Sequence, residues 1–169
     1  KNFVMGGKAE DADDTLTQLR QNYPEQALYD LMNIVDSHDT ARAIYTYGGG
    51  KDDVLQPTKA DFDYDLGKAR LKMAAVFELG YPGMPTIYYG DEAGMEGWED
   101  PFNRGTYPWG REDTVIRDYF ALLGGLRKRR TSLRRGGIRW LEAQGRLVAF
   151  IRESAGERSV TVLNAGDAE

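Results

Sequence analysis

Asn33-Ile34-Val35-Asp36-Ser37-His38-Asp39-Thr40-Ala41-Arg42 is the stretch that decides the fold. It joins a short apolar run, Asn33–Val35, to a polar loop. The run reads as a buried strand. A His-Asp step just past a strand end is where an α/β enzyme displays polar groups to a ligand. His38 is the only histidine in 169 residues. A lone histidine in a loop is more often satisfied locally than functional, so the neighbouring sequence has to decide.

On the N-terminal side, Asp13 or Asp14 is placed to cap a helix carrying Leu16 and Leu19. Asn22-Tyr23-Pro24 breaks it, and Pro24 suits the first turn of a second helix with Ala27, Leu28, Leu31 and Met32 at helical spacing. On the C-terminal side, Gly48-Gly49-Gly50 marks a loop. Leu66, Ala69, Met73, Val76 and Phe77 then line one face of a helix that Gly80 ends, with Pro82 just beyond. Thr86–Tyr89 is a second β-rich run, between Pro85 and Gly90. The long loop from Asp91 to Arg111 carries Trp98 and Trp109, and loops of this length inside compact domains are usually functional or disordered.

Asp113 opens a further helix, with Val115, Ile116, Tyr119, Phe120, Leu123 and Leu126 expected inward. Its basic end, Arg127 to Arg130, complements the helix dipole. After Gly136-Gly137, three strands are predicted at Ile138–Leu141, Leu147–Ile151 and Ser159–Leu163. Gln144-Gly145 and Ala155-Gly156 supply the turns. The β/α alternation of the first part is that of a parallel sheet or barrel, and the tail is part of an all-β domain.

The composition, 41% hydrophobic and 29% charged, is that of a soluble globular protein. No apolar run approaches the ~20 residues of a membrane span. A net charge of −5 argues against nucleic acid as a partner. The absence of cysteine excludes disulfides and thiolate metal sites. A single histidine argues against a histidine-rich zinc or iron site, and neither metal nor cofactor is expected. No signal-peptide pattern opens the chain, and Lys1-Asn2-Phe3 does not resemble a natural start.

Two strand-to-loop junctions hold the polar residues. One is Asp36-Ser37-His38-Asp39. The other is Tyr89-Gly90-Asp91-Glu92, running on to Asp100-Pro101-Phe102-Asn103-Arg104. In a parallel β/α fold both lie at the C-terminal ends of strands, on one face. Carboxylates there accept hydrogen bonds from sugar hydroxyls, and Arg and His donate.

Val35 to Arg42 resembles the last of the short signatures of the α-amylase family of glycoside hydrolases. Gly83-Met84-Pro85-Thr86-Ile87-Tyr88-Tyr89-Gly90-Asp91-Glu92-Ala93-Gly94 is similar to its eighth barrel strand. Asp100 to Arg104, ending at Pro108-Trp109, resembles the next loop in its neopullulanase, cyclomaltodextrinase and maltogenic-amylase members. The resemblance implies the last part of a (β/α)8 barrel, strands 7 and 8 with flanking helices, over residues 1–135. Residues 136–169 would begin a C-terminal β-sandwich.

The resemblance also implies roles. Asp39 would be the catalytic carboxylate that steadies the oxocarbenium-like transition state, and His38 would donate hydrogen bonds to the same glucose unit. Asp100 and Arg104 would grip the neighbouring glucose. Asp36 is expected to fix its loop, Asp91 and Glu92 to shape the strand end, and Trp98 to pack the loop or stack on a sugar. The expected ligand is an α-glucan oligosaccharide.

Retaining hydrolysis needs a nucleophilic carboxylate and a general acid ~5–5.5 Å apart. In this family those follow the fourth and fifth strands, and nothing in residues 1–35 resembles either signature. The chain is therefore expected to be an inactive fragment of an α-glucan hydrolase. Two strands cannot close a barrel, so self-association through the open edges is expected. A non-catalytic scaffold relative is the alternative, disfavoured because Asp39, His38, Asp100 and Arg104 are all present. A phosphohydrolase metal dyad at His38-Asp39 would need further histidines.

Overall fold

The structure, a computed structural model, describes residues 1–51 and 62–166. It divides into two compact units. One holds Lys1–Asn33, Val76–Pro85 and Leu123–Glu169, and the other Ile34–Ala75 and Thr86–Leu122. No helix among the described residues is long and apolar enough to cross a membrane.

The first unit begins with α1 (Ala9–Asn22) and α2 (Glu25–Asp30). Lys8, not Asp13 or Asp14, stands at the N-cap of α1 and makes no side-chain cap bond. The two aspartates lie within the helix. Pro24 caps α2, whose missing N–H costs nothing there, but the helix ends before Leu31 and Met32. Those residues feed β1 (Met32–Asn33), which pairs in parallel with β2 (Met84–Pro85).

Both strands are therefore displaced from their predicted positions at Asn33–Val35 and Thr86–Tyr89. Pro85 has no N–H to extend the ladder, and the pairing stops at its register partner, Asn33. The Asn33 side chain instead ties the pair to the preceding turn, donating to the carbonyls of Glu78 (3.2 Å) and Pro82 (3.1 Å). The parallel sense matches the β/α alternation expected from the sequence.

The antiparallel sheet runs β3 (Gly137–Gln144), β4 (Leu147–Ser154) and β5 (Glu157–Asn164), in that order. All three strands appear where the alternation predicts them, each longer than expected. Gly145 (φ 58°) leads the first two-residue turn, and Ala155-Gly156 (φ 40° and 84°) makes the second, the dihedral signs that tight hairpins require. A register shift at Trp140/Glu142 bulges β3.

Phe150 on β4 sits at the centre of an aromatic cluster. It meets Phe77, Tyr81 and Trp140 edge-on, at centroid distances of 5.8, 6.0 and 5.6 Å. Two arginines complete this unit. Arg152 is fully buried and donates to the carbonyls of Gly80 (2.7 Å) and Gly136 (2.8 and 3.1 Å). Burial pulls its guanidinium down to about 10. Arg127 donates to the carbonyls of Leu79 (2.7 Å), Tyr81 (3.3 Å) and Gly83 (2.5 Å). The final carbonyls of a helix have no intrahelical donors, and the two side chains supply them at the end of α4. The basic end of the Asp113 helix thus makes specific hydrogen bonds, at Arg127, beyond complementing its own dipole.

The second unit holds α3 (Ala43–Tyr47) and the beginnings of α4 (Tyr64–Gly80) and α5 (Thr114–Arg129). The buried face of α4 is Gly67, Leu71, Ala74, Ala75, Glu78 and Leu79. The predicted face of Leu66, Ala69, Met73, Val76 and Phe77 is exposed or half-buried. Gly67 explains the rotation: a Cβ there would stand 2.2 Å from the Ile44 carbonyl oxygen. Only glycine lets α3 and α4 approach so closely, and that contact selects the buried side. On α5, Ile116 and Phe120 are buried as predicted, but Val115 (54% exposed) and Leu126 face solvent. The five-residue helix α6 (Thr131–Arg135) precedes β3.

Asp113 caps α5 as expected. Its Oδ1 accepts from the N–H groups of Val115 (3.0 Å) and Ile116 (3.1 Å). Its Oδ2 accepts from Lys68 Nζ (2.6 Å) and the Tyr64 hydroxyl (3.2 Å). Burial pushes the carboxyl up, but the Lys68, Ile116 and Tyr64 bonds outweigh it and hold it below the usual carboxylate range. A depressed carboxylate contributes stability above its unfolded pKa and loses it as pH falls through the folded value. Asp113→Asn should therefore lower stability at neutral pH, and the difference from wild type should shrink below about pH 4. Denaturant midpoints measured across an acid titration check this, and a constant difference at all pH values would refute it.

Candidate carbohydrate site

The second unit brings the two polar loops together. Asp36 is buried, and its Oδ2 accepts from the Ala43 N–H at 2.6 Å, capping α3 from outside the helix. This is the loop-fixing role expected of it. Between Asp36 and α3 the chain makes a small turn: Ser37 N–H donates to Thr40 Oγ1 (3.1 Å) and Asp39 N–H to Ser37 Oγ (3.2 Å). The turn displays His38 and Asp39 to solvent, their side chains 60% and 71% exposed.

The second loop arrives through Asn103, which has no solvent exposure. Its Nδ2 donates to the carbonyls of His38 (2.8 Å) and Thr40 (2.9 Å). One side chain thus satisfies two backbone acceptors that flank Asp39. Asn103 sits on a 3-10 turn, Phe102–Arg104, so its neighbour Arg104 is carried to the same place. Arg104 Nε meets Asp100 Oδ1 at 3.0 Å, and its Nη2 lies 3.7 Å from Asp39 Oδ1. His38 Nε2 lies 3.3 Å from that same oxygen. All four residues singled out from the sequence therefore form one cluster, with donors from Arg104 and His38 converging on Asp39.

Arg42, just after the turn, is wholly buried, as Arg152 is in the first unit. Its guanidinium carbon lies over the rings of Tyr88 (4.4 Å) and Tyr89 (4.8 Å), which meet each other edge-on. Its Nη1 donates to the Tyr89 carbonyl (2.5 Å) and faces Asp91 Oδ1 (3.4 Å). Its backbone N–H donates to the Gly97 carbonyl (2.9 Å). Gly90, at φ 94°, leaves room for this arrangement: a Cβ there would meet Met95 Sδ at 2.2 Å and Arg42 Nη1 at 3.1 Å. Glu92 Oε2 accepts from the Gly90 N–H (2.9 Å), and the Tyr89 hydroxyl donates to the Gly105 carbonyl (2.8 Å). Asp91 and Glu92 shape the loop, as expected. Trp98 stacks on Phe102 at 4.9 Å and 28°, and so packs the loop.

Arg42 and Asn103 are the residues to which sequence reasoning assigned no role. Both stand inside the quoted motifs, yet nothing local distinguishes them from exposed polar residues. Their importance arises from burial, which turns an ordinary donor into one that must be matched.

Chemically the cluster suits a polyhydroxylated ligand: exposed carboxylates accept from hydroxyls, while Arg104 and His38 donate. Asp39 and Asp100 share one guanidinium, which suits ligand positioning better than an acid–base pair. Among the described residues no group of three or more His, Cys, Asp or Glu could hold a metal ion.

Comparison with known proteins defines the class. Residues 4–143 match the family described as alpha amylase, catalytic domain. The chain belongs to the α-amylase family, whose catalytic domain is a TIM barrel. It is 39% identical over 168 residues to an amylopullulanase of Thermoanaerobacter thermohydrosulfuricus, covering 93% of this chain and 11% of that one. It is 36% identical over 160 residues to neopullulanase 2 of Thermoactinomyces vulgaris, covering 92% and 24%. Among solved structures, the type III pullulan hydrolase from Thermococcus kodakarensis superposes with a TM-score of 0.82 at 28% identity, covering 97% of this chain and 28% of that one. The chain thus spans between about a tenth and a quarter of the length of these curated relatives.

The buried guanidinium makes a direct prediction. Arg42→Met should destabilise the protein by about 3 kcal/mol, because it removes the charge facing buried Asp91 and the donor to the Tyr89 carbonyl. Arg42→Lys keeps the charge but loses the planar fork lying over the tyrosines, and should recover only part of that. Urea midpoints for the two variants test the order; equal stabilities of wild type and Met variant would refute it.

Proposed function

We propose that this chain supplies one catalytic carboxylate and part of the sugar-binding cleft of a retaining α-glucan hydrolase. In this reading β1 and β2 belong to strands 7 and 8 of the barrel. Residues 1–135 are its C-terminal part, and residues 136–169 begin a β-sandwich. The convergence of Arg104 and His38 on Asp39, with Asp100 on the far side of the guanidinium, carries the proposal.

The roles follow from charge. Glycosidic cleavage passes through an oxocarbenium-like transition state, in which the hydroxyls of the reacting sugar become stronger donors. Asp39, an exposed acceptor held by a tight turn, is suited to bind those hydroxyls. Interactions that strengthen only in the transition state raise kcat. His38 donates to the same sugar. Arg104 and Asp100 hold the adjacent unit, binding substrate and transition state alike. The names of the relatives, amylopullulanase and neopullulanase, support pullulan-type α-glucans as the substrate class. The nucleophile and the general acid belong to other parts of the barrel.

In the whole enzyme, Asp39→Asn should lower kcat by about two to three orders of magnitude with little change in KM. Arg104→Ala should act mainly on KM. Steady-state kinetics with maltooligosaccharides distinguish the two patterns, and a full-activity Asp39→Asn enzyme would overturn the assignment. The 169-residue chain alone should release no reducing sugar.

The chain alone is also proposed to self-associate. Met32 and Met84, on the two parallel strands, are 58% and 49% exposed. Sedimentation velocity should show concentration-dependent association, and a monomer across a hundredfold concentration range would exclude it.

A further inference from the structure

We propose that Asn103 is a positioning residue for the Asp39 carboxylate: it ties the turn that carries Asp39 to the loop that carries Arg104, and so sets where the carboxylate stands. The inference rests on the reading of Asp39 as the carboxylate that meets the reacting sugar.

The Asp39 turn holds its own shape, but its internal bonds do not fix its place. The Ser37 N–H donates to Thr40 Oγ1 (3.1 Å), the Asp39 N–H to Ser37 Oγ (3.2 Å) and the Thr40 N–H to the Ser37 carbonyl (3.3 Å). These bonds join residues 37–40 only to one another, so the turn can still move as a body. Two further bonds reach it from the second loop, both from Asn103. Nδ2 donates to the carbonyls of His38 (2.8 Å) and Thr40 (2.9 Å), one on each side of Asp39. A side-chain amide nitrogen carries two N–H groups, and these two acceptors use both. Two anchors that bracket Asp39 fix its direction, where a single bond would leave a pivot.

Asn103 is itself held by contacts that do not involve that turn. Its 3-10 turn is closed by the Phe102 N–H on the Glu99 carbonyl (2.8 Å) and the Arg104 N–H on the Pro101 carbonyl (3.0 Å). Arg104 Nε meets Asp100 Oδ1 at 3.0 Å. Gly97 lets the segment seat closely: a Cβ there would stand 2.7 Å from the Phe102 carbonyl oxygen and 2.9 Å from Asn103 Cα. Asn103 has no solvent exposure, so water does not compete for Nδ2. The second loop is the fixed side of the joint, and the Asp39 turn is the held side. Loss of the amide therefore frees Asp39 while Asp100 and Arg104 keep their own bonds.

Kinetics of the whole enzyme with maltooligosaccharides test the proposal. Asn103→Leu keeps the branched shape without the donors. It should lower kcat about ten- to a hundredfold and leave KM within about twofold, since a misplacement of about 1 Å can cost that much in rate. In an Asp39→Asn background the same substitution should cost less than about twofold, because the group it positions is already lost. A residue that served only the fold would lower activity by the same factor in both backgrounds. In the 169-residue chain, NMR relaxation should show the His38–Thr40 amides passing from rigid to mobile in Asn103→Leu, with Phe102–Arg104 unchanged. Should Asn103→Leu unfold, Asn103→Ser, which keeps one hydroxyl donor, takes its place and should show the same pattern with a smaller loss. The proposal fails if the folded variant keeps wild-type kcat, if its loss is undiminished in the Asp39→Asn background, or if KM rises as far as kcat falls. Full activity in Asp39→Asn sinks the catalytic assignment and this inference together. Wild-type kcat in Asn103→Leu beside a crippled Asp39→Asn sinks this inference alone.

Discussion

Arg42 is the interaction on which the site depends. A wholly buried guanidinium cannot give up its charge, so the loops around it must supply acceptors and aromatic faces. Tyr88, Tyr89 and Asp91 do so from one loop, while the backbone of Arg42 is tied to Gly97. The turn before α3 and the loop from Tyr88 to Gly97 are thereby tied to one residue. The exposed residues, His38, Asp39 and Arg104, are set in place by groups that no ligand reaches.

The same device recurs in the first unit. Arg127 and Arg152 supply donors to the carbonyls at the end of α4 and just beyond it. A two-residue parallel ladder contributes little by itself, and proline closes it at once. Side-chain donors to backbone carbonyls do the work that a longer ladder would otherwise do. Such bonds are worth more than neutral ones because the donor is charged and the acceptors are buried.

Function divides along the line between buried and exposed polar groups. Asp36, Arg42, Asp91 and Asn103 are buried and spend their hydrogen bonds on the fold. His38, Asp39, Asp100 and Arg104 are exposed, and they are the residues proposed to meet a ligand. Four residues brought together from two loops, rather than any one carboxylate, make the case for a sugar cleft.

The amino-acid sequence by itself determined the order of the longer helices and the strands, the hairpins of the β-sheet, the Asp113 cap and the membership of the candidate cluster, but not the short helices α3 and α6. These are local matters: turn glycines, cap residues and short motifs act within a few residues of themselves. Tertiary structure alone decided the rest. The strands moved because Pro85 could not extend a ladder, which depends on what lies opposite. The buried face of α4 turned because Gly67 admits the Ile44 carbonyl. Arg42 and Asn103 became central only once packing set Arg42 Nη1 against the Tyr89 carbonyl and Asp91, and Asn103 Nδ2 against the carbonyls of His38 and Thr40. Periodicity and motif record what a residue can do; packing decides what it must do.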